Sequence, residues 1–188
     1  MSPTALLCAD VLGRAPVRNL LLRLAVQGLF RARWTDAAQA EWIAGALAAQ
    51  PGLSPAALGR VRVLMEAALP DARVAAPAPM MPGLDPAAAD EDPIAAAAAR
   101  AGADTVVTWR QDPATARVLV GYGIELCDPD TLVLDLADAD PTGVAAAMRA
   151  CRLALRRPET TPAEYLATLE RGGLPGIAAF FADRAEAI

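Results

Sequence analysis

The sequence predicts an α/β fold, a three-layer α/β/α arrangement around a parallel sheet of about four strands, extended by an all-helical C-terminal third. Two observations predict the layers. Short apolar or β-branched segments alternate with amphipathic stretches of helical period as far as about residue 127, the pattern of strands that need helical cover on both faces. Beyond that point only helical stretches follow, separated by Pro, Gly and capping residues. With 188 residues, 55% of them hydrophobic, the chain can build one core without metals or disulfides to support it. The expected division is 1–127 for the α/β part and 128–188 for a helical extension packed on it.

Each element has a local reason. Residues 4–8 read as a buried strand. Pro16 then opens a helix whose apolar positions Val17, Leu20, Leu21, Leu24 and Leu29 recur at helical spacing. Thr35 or Asp36 can cap a second helix through about Ala49, closed by Pro51-Gly52. Ser54-Pro55 starts a third, to about Leu69. Ala72–Ala76 is expected as a short second strand, and the Pro-rich stretch Pro77–Pro86 as a connection. Acids precede Pro93 at the start of an alanine-rich helix that ends at Gly102. Asp104–Trp109 and Gly123–Leu126 read as strands, with a helix between them over Asp112–Val120. Helices near 128–138, 141–156, 161–171 and 174–186 complete the chain, the third opened by the capping-box sequence Thr161-Pro162-Ala163-Glu164.

Composition removes several classes of chemistry. The chain has no histidine, which excludes His-based acid/base catalysis, His–metal sites and Ser-His-Asp triads. Cys8, Cys127 and Cys151 are odd in number and lack CxxC spacing, as expected of buried thiols in a reducing compartment. The net charge of −5 conceals a basic segment, Val11–Thr35, with Arg14, Arg18, Arg23, Arg31 and Arg33 and no acid. That segment is either a solvated helix face or a phosphate-binding one. No apolar run is long enough for a bilayer, and no cleavable leader is evident, so a cytoplasmic protein without a membrane partner is expected. The first strand-to-helix turn, Asp10-Val11-Leu12-Gly13-Arg14, lacks GxGxxG, which argues against a dinucleotide-binding oxidoreductase.

What remains is carboxylate chemistry at the sheet edge. In open α/β sheets ligands bind beyond the carboxyl ends of the strands. Asp10 follows the first strand, Glu41 lies on the second helix, Asp90, Glu91 and Asp92 precede the alanine-rich helix, and Asp112 follows the next strand. Four acids from separate elements, converging at one edge, would suit Mg²⁺ or Mn²⁺. The same acids at helix N-termini can instead serve as caps.

These residues resemble the PIN-domain family, and within it the VapC-like toxins that carry a helical C-terminal extension. Leu6-Leu7-Cys8-Ala9-Asp10-Val11-Leu12 is similar to the family's opening strand, and Glu41-Trp42 to its helix-two Glu-Trp. Arg100-Ala101-Gly102-Ala103-Asp104 and Tyr122-Gly123-Ile124-Glu125 are similar to its later strand starts, and Tyr165–Leu174 to the extension. The resemblance implies a homodimer that cleaves RNA with Mg or Mn and is restrained by a protein antitoxin. It implies metal and catalytic positions at Cys8, where the family has aspartate, at Glu41, at Glu91, and at Pro113, one past Asp112. Two of the four ligand positions are thus replaced, and Arg110 stands where the family has asparagine.

Two expectations follow. In one, Asp10, Glu41, Glu91 and Asp112 re-form a metal site, with residues 8 and 10 on one strand face. Arg14 and Arg18, a helical turn apart, and Arg110 would then hold RNA phosphates in an active ribonuclease. In the other, which the demanding geometry of Mg²⁺ favours, the site has decayed. Arg110 then pairs internally with Asp10 or Glu41, and the chain acts by binding alone. Aromatics are 4% of the chain, too few to stack bases along a strand, and Trp34 and Trp42 are expected in the core.

Overall fold

The computed structural model describes residues 2–74, 92–155 and 159–188. Four short strands, β1 (Thr4–Leu7), β2 (Arg31–Arg33), β3 (Thr105–Val107) and β4 (Glu125–Cys127), form one parallel sheet in the order β2-β1-β3-β4. Among the described residues ten helices surround it: α1 (Ala9–Leu12), α2 (Ala15–Val26), α3 (Asp36–Ala49), α4 (Pro55–Ala68), α5 (Pro93–Ala101), α6 (Pro113–Gly121), α7 (Pro129–Ala139), α8 (Pro141–Ala154), α9 (Pro162–Gly172) and α10 (Pro175–Ala182). The fold is α/β and PIN-like, with the C-terminal helices the sequence predicts.

Alternation along β1 generates the layers. Ala5 and Leu7 face one core, with Leu20, Leu21 and Leu24 of α2, while Leu6 and Cys8 face another, with α5 and Leu119 of α6. Five consecutive alanines of α5, Ala95–Ala99, are all buried. Their small side chains let the helix bury its whole circumference close to the sheet. It ends at Gly102, whose φ of +58° makes the left-handed turn that a side chain would resist. The larger core continues without a break into the extension through Val133, Val144, Met148, Leu169, Ile177 and Phe181. Each such large apolar side chain contributes about 1.5–3 kcal/mol when buried, so the C-terminal helices share the stability of the sheet they cover.

The sequence reading needs three corrections. The second strand is β2, not Ala72–Ala76. Pro70–Ala72 is a 3-10 turn, Arg73 makes an isolated parallel bridge to Trp34, and residues 75 and 76 lie outside the described ones. Arg-Ala-Arg buries one side chain of three, so its apolar signal is too short to detect. Leu29 does not belong to the helix that begins at Ala15, because α2 stops at Val26 and Gly28 turns the chain at φ +80°. The strand starting at residue 4 ends at Leu7, and the chain then coils into α1.

Candidate functional site

The carboxyl ends of β1 and β3 meet where the Cys8 amide donates to the Val107 carbonyl at 3.1 Å. Cys8 is 7% exposed and sits among the alanines of the second core. Burial pushes its thiol up to about 12, aided by the negative charges of Asp10 and Glu41 and opposed by Arg110 and Thr108. The residue therefore presents a neutral thiol at neutral pH.

Asp10 does not share a strand face with Cys8, as the sequence led one to expect, because helix α1 turns its side chain toward the loop after β3. One carboxylate oxygen accepts from the Val11 amide at 3.0 Å. The other accepts from the Thr108 hydroxyl and the Trp109 amide, both at 2.8 Å. Asp10 thus ties the end of β1 to the end of β3. Thr108, 2% exposed, is the residue that sequence reasoning missed here. Its signal was a polar β-branched side chain closing a buried strand.

Glu41 projects from α3, and Arg110 approaches it to 3.4 Å, both side chains being about two-thirds exposed. Cys8, Glu41 and Arg110 line a cavity of about 390 Å³ with Arg100 on its wall and an apolar floor that includes Leu6 and Ile94. Asp10 and Glu41 line a second hollow, of about 480 Å³, with Arg18 and Trp42. Glu41 is common to both.

The remaining acids are held by backbone. Asp112 caps α6, accepting from the Ala114 amide at 3.2 Å and the Thr115 hydroxyl at 3.2 Å. Those bonds, with the Ala114 amide foremost, hold its carboxyl below the usual range. Asp92 caps α5 through the Ile94 and Ala95 amides at 2.9 and 3.1 Å. Glu91 lies outside the described residues. Among the described residues no group of three His, Cys, Asp or Glu side chains is arranged to hold a metal ion. Among the described residues the donors do not fit a hard divalent cation. A neutral thiol is the wrong ligand for one, Asp10 and Asp112 are committed to amides and hydroxyls, and a guanidinium accompanies Glu41.

The three arginines expected to meet phosphate have different surroundings. Arg14 precedes α2 in exposed position, donates to the Gly172 carbonyl at 3.0 Å and stacks 4.4 Å from the Trp109 ring. Arg18 is 7% exposed, donates to the Leu12 carbonyl at 2.8 Å and lies 4.8 Å from the Trp42 ring. Burial lowers its pKa. Arg110 is exposed at the cavity wall. Trp34 and Trp42 are core residues.

The extension reaches this site through one close approach. Gly173 has φ +100°, and a Cβ there would fall 2.7 Å from the Trp109 ring and 2.9 Å from the Arg14 guanidinium. Only glycine fits between them. Arg14 and Trp109 thereby join the end of α9 to the loop that Asp10 fastens.

Residues 129–183 match the family model described as the VapC50 C-terminal domain. This supports kinship with a VapC-type toxin family, carried by α7 through α10 and not by the strands. No curated protein and no solved structure matches the chain. No helix among the described residues is long and apolar enough to cross a membrane.

Proposed function

We propose that the chain is a PIN-fold relative of the VapC-type toxin endoribonucleases whose metal site is impaired, and that it acts by binding rather than by cleaving phosphodiesters. The observation that carries this reading is the Arg110 guanidinium beside Glu41, at the place where the resemblance requires two oxygen donors and a cation. A positive side chain there repels a divalent ion and offers phosphate a partner. Arg100 on the same wall adds a second cation. The occupant is single-stranded RNA held by its backbone, with weak base preference because the cavity lining contains no aromatic ring. Arg14 extends the phosphate track, while Arg18 supports it from beneath through Trp42. An antitoxin-type protein and a second copy of the chain are the partners that the kinship brings, in the cytoplasm.

Incubation of wild type and Glu41→Gln with single-stranded RNA in Mg²⁺ or Mn²⁺, alongside retention of the same RNA on a filter, tests the proposal. The expected result is no cleavage by either protein, with RNA retention that weakens as salt rises. Metal-dependent cleavage that Glu41→Gln abolishes would instead establish an active ribonuclease that uses Glu41, with Asp10, Glu91 and Asp112 as the next acids to test.

A further inference from the structure

A hollow of about 600 Å³ lies away from the sheet edge, between α2 and α4 on one side and α8 and α9 on the other. Its walls are Leu22, Val26, Ala68, Ala154 and Leu155, with Asn19, Arg23, Cys151, Tyr165 and Thr168 as its polar members. Among the described residues no acid lines it, and Arg23 is its one charged residue. Three features there lack a structural explanation. Val26 and Leu155, at 49% and 46% exposure, are among the few large apolar side chains left in water. Among the described residues Arg23 forms no ion pair. The Tyr165 hydroxyl, on a residue 3% exposed, meets no oxygen or nitrogen partner, only the Cys151 thiol beside it.

An enclosed hydroxyl left with only a weak sulfur partner is destabilising, and a protein gains nothing in packing from it. Cys151 explains why these groups belong together. Its thiol lies beside both the Tyr165 hydroxyl and the Arg23 guanidinium, so the three polar heads converge at one point of an otherwise alkyl wall. The thiol donates to the Asn19 carbonyl, at a long 3.6 Å, and sulfur is a weak acceptor for the other two. A missing acceptor is what the cluster lacks. The volume is that of a small-molecule pocket, and such pockets favour the joint between two packed units.

We propose that this hollow binds a small amphipathic carboxylate of the medium-chain acyl type, its head accepting from Arg23 and Tyr165 and its chain lying along Leu22, Val26, Ala154 and Leu155. The Arg23 cation with a hydroxyl donor beside it suits an anionic head. The alkyl wall favours an acyl chain, and Arg23 favours an anionic head over a cationic one. The site is separate from the cavity at Glu41, so the outcome with RNA does not bear on it.

Calorimetric titration of the full chain with octanoate, with octanol as the uncharged comparison, tests this. Saturable one-site binding of octanoate, far weaker for octanol, is expected. Arg23→Gln should weaken octanoate about tenfold, the loss expected for one charge-assisted hydrogen bond. Tyr165→Phe removes a hydroxyl whose neighbour is a weak sulfur partner, so its Tm should fall little if at all while octanoate binds several-fold more weakly. Filling the wall with Ala154→Trp should abolish binding and leave the helical circular dichroism unchanged. Absence of saturable octanoate binding to wild type, equal binding of octanol, or unchanged affinity in both Arg23→Gln and Tyr165→Phe would overturn the proposal.

Discussion

Acids at the carboxyl edge of the sheet and acids in the C-terminal helices are used in the same way. In the extension Asp128 accepts from the Thr131 amide at 2.9 Å and Asp140 from the Gly143 amide at 2.8 Å. Asp130 reaches across to the Gly176 and Ile177 amides at 2.6 and 2.9 Å. Thr161 and Glu164 form a reciprocal capping box. At the sheet edge Asp92 and Asp112 cap α5 and α6, and Asp10 closes on Thr108 and Trp109. Each carboxylate satisfies orphan backbone donors and complements a helix or turn. Glu41 and Asp36 of α3 differ, because their oxygens meet guanidinia, that of Arg110 for Glu41 and those of Arg62 and Arg73 for Asp36. The comparison teaches that acids gathered at a sheet edge can serve the architecture, and the proposed binding role rests on Glu41 beside the exposed Arg110.

The sharpest way to break the comparison is at the join between the two regions. Gly173→Ala places a Cβ against Trp109 and Arg14 and demands φ +100° of a residue that resists it. A loss of roughly 2–4 kcal/mol is expected in urea unfolding, with altered tryptophan fluorescence. A near-neutral result would mean that the extension does not touch the site loop. Next in size is Asp130→Ala, which leaves the Gly176 and Ile177 amides without their carboxylate. About 1–2 kcal/mol should be lost, read as a lower urea midpoint with unchanged slope. The smallest effect belongs to Arg110→Gln. Because the pair with Glu41 is about two-thirds exposed, its removal should change stability by less than about 1 kcal/mol. The same variant should nonetheless weaken RNA retention. A large stability loss would make Arg110 a structural residue rather than a binding one.

Much of the fold was legible because helix boundaries carry local chemistry. Thr35 caps α3, Pro55 and Pro93 occupy the first helical positions of α4 and α5, and Gly102 closes α5, each at the place its residue type predicts. The strand β2 escaped because three edge residues with one buried alanine carry no period. At the site the residue types were legible and their partners were not. Asp10 and Thr108 are 98 residues apart, as Arg14 and Gly172 are 158 apart, and no spacing rule connects them. The expected pairing of Arg110 with Asp10 or Glu41 resolves to Glu41, at the cavity wall rather than in the interior. The direction of Asp10 depended on where β1 ends, and one residue of difference turned the carboxylate from a strand face to a helical turn.

The proposed impairment requires that the described carboxylates of this edge, committed to backbone and to arginine, leave no seat for a divalent ion. Calorimetric titration of Mn²⁺ into wild type and Cys8→Asp with Pro113→Asp tests it most directly. No saturable heat is predicted for wild type, with a binding isotherm emerging only in the doubly substituted protein as hard oxygens replace a neutral thiol and a proline. A saturable one-site isotherm in wild type, lost in Glu41→Gln, would contradict the account.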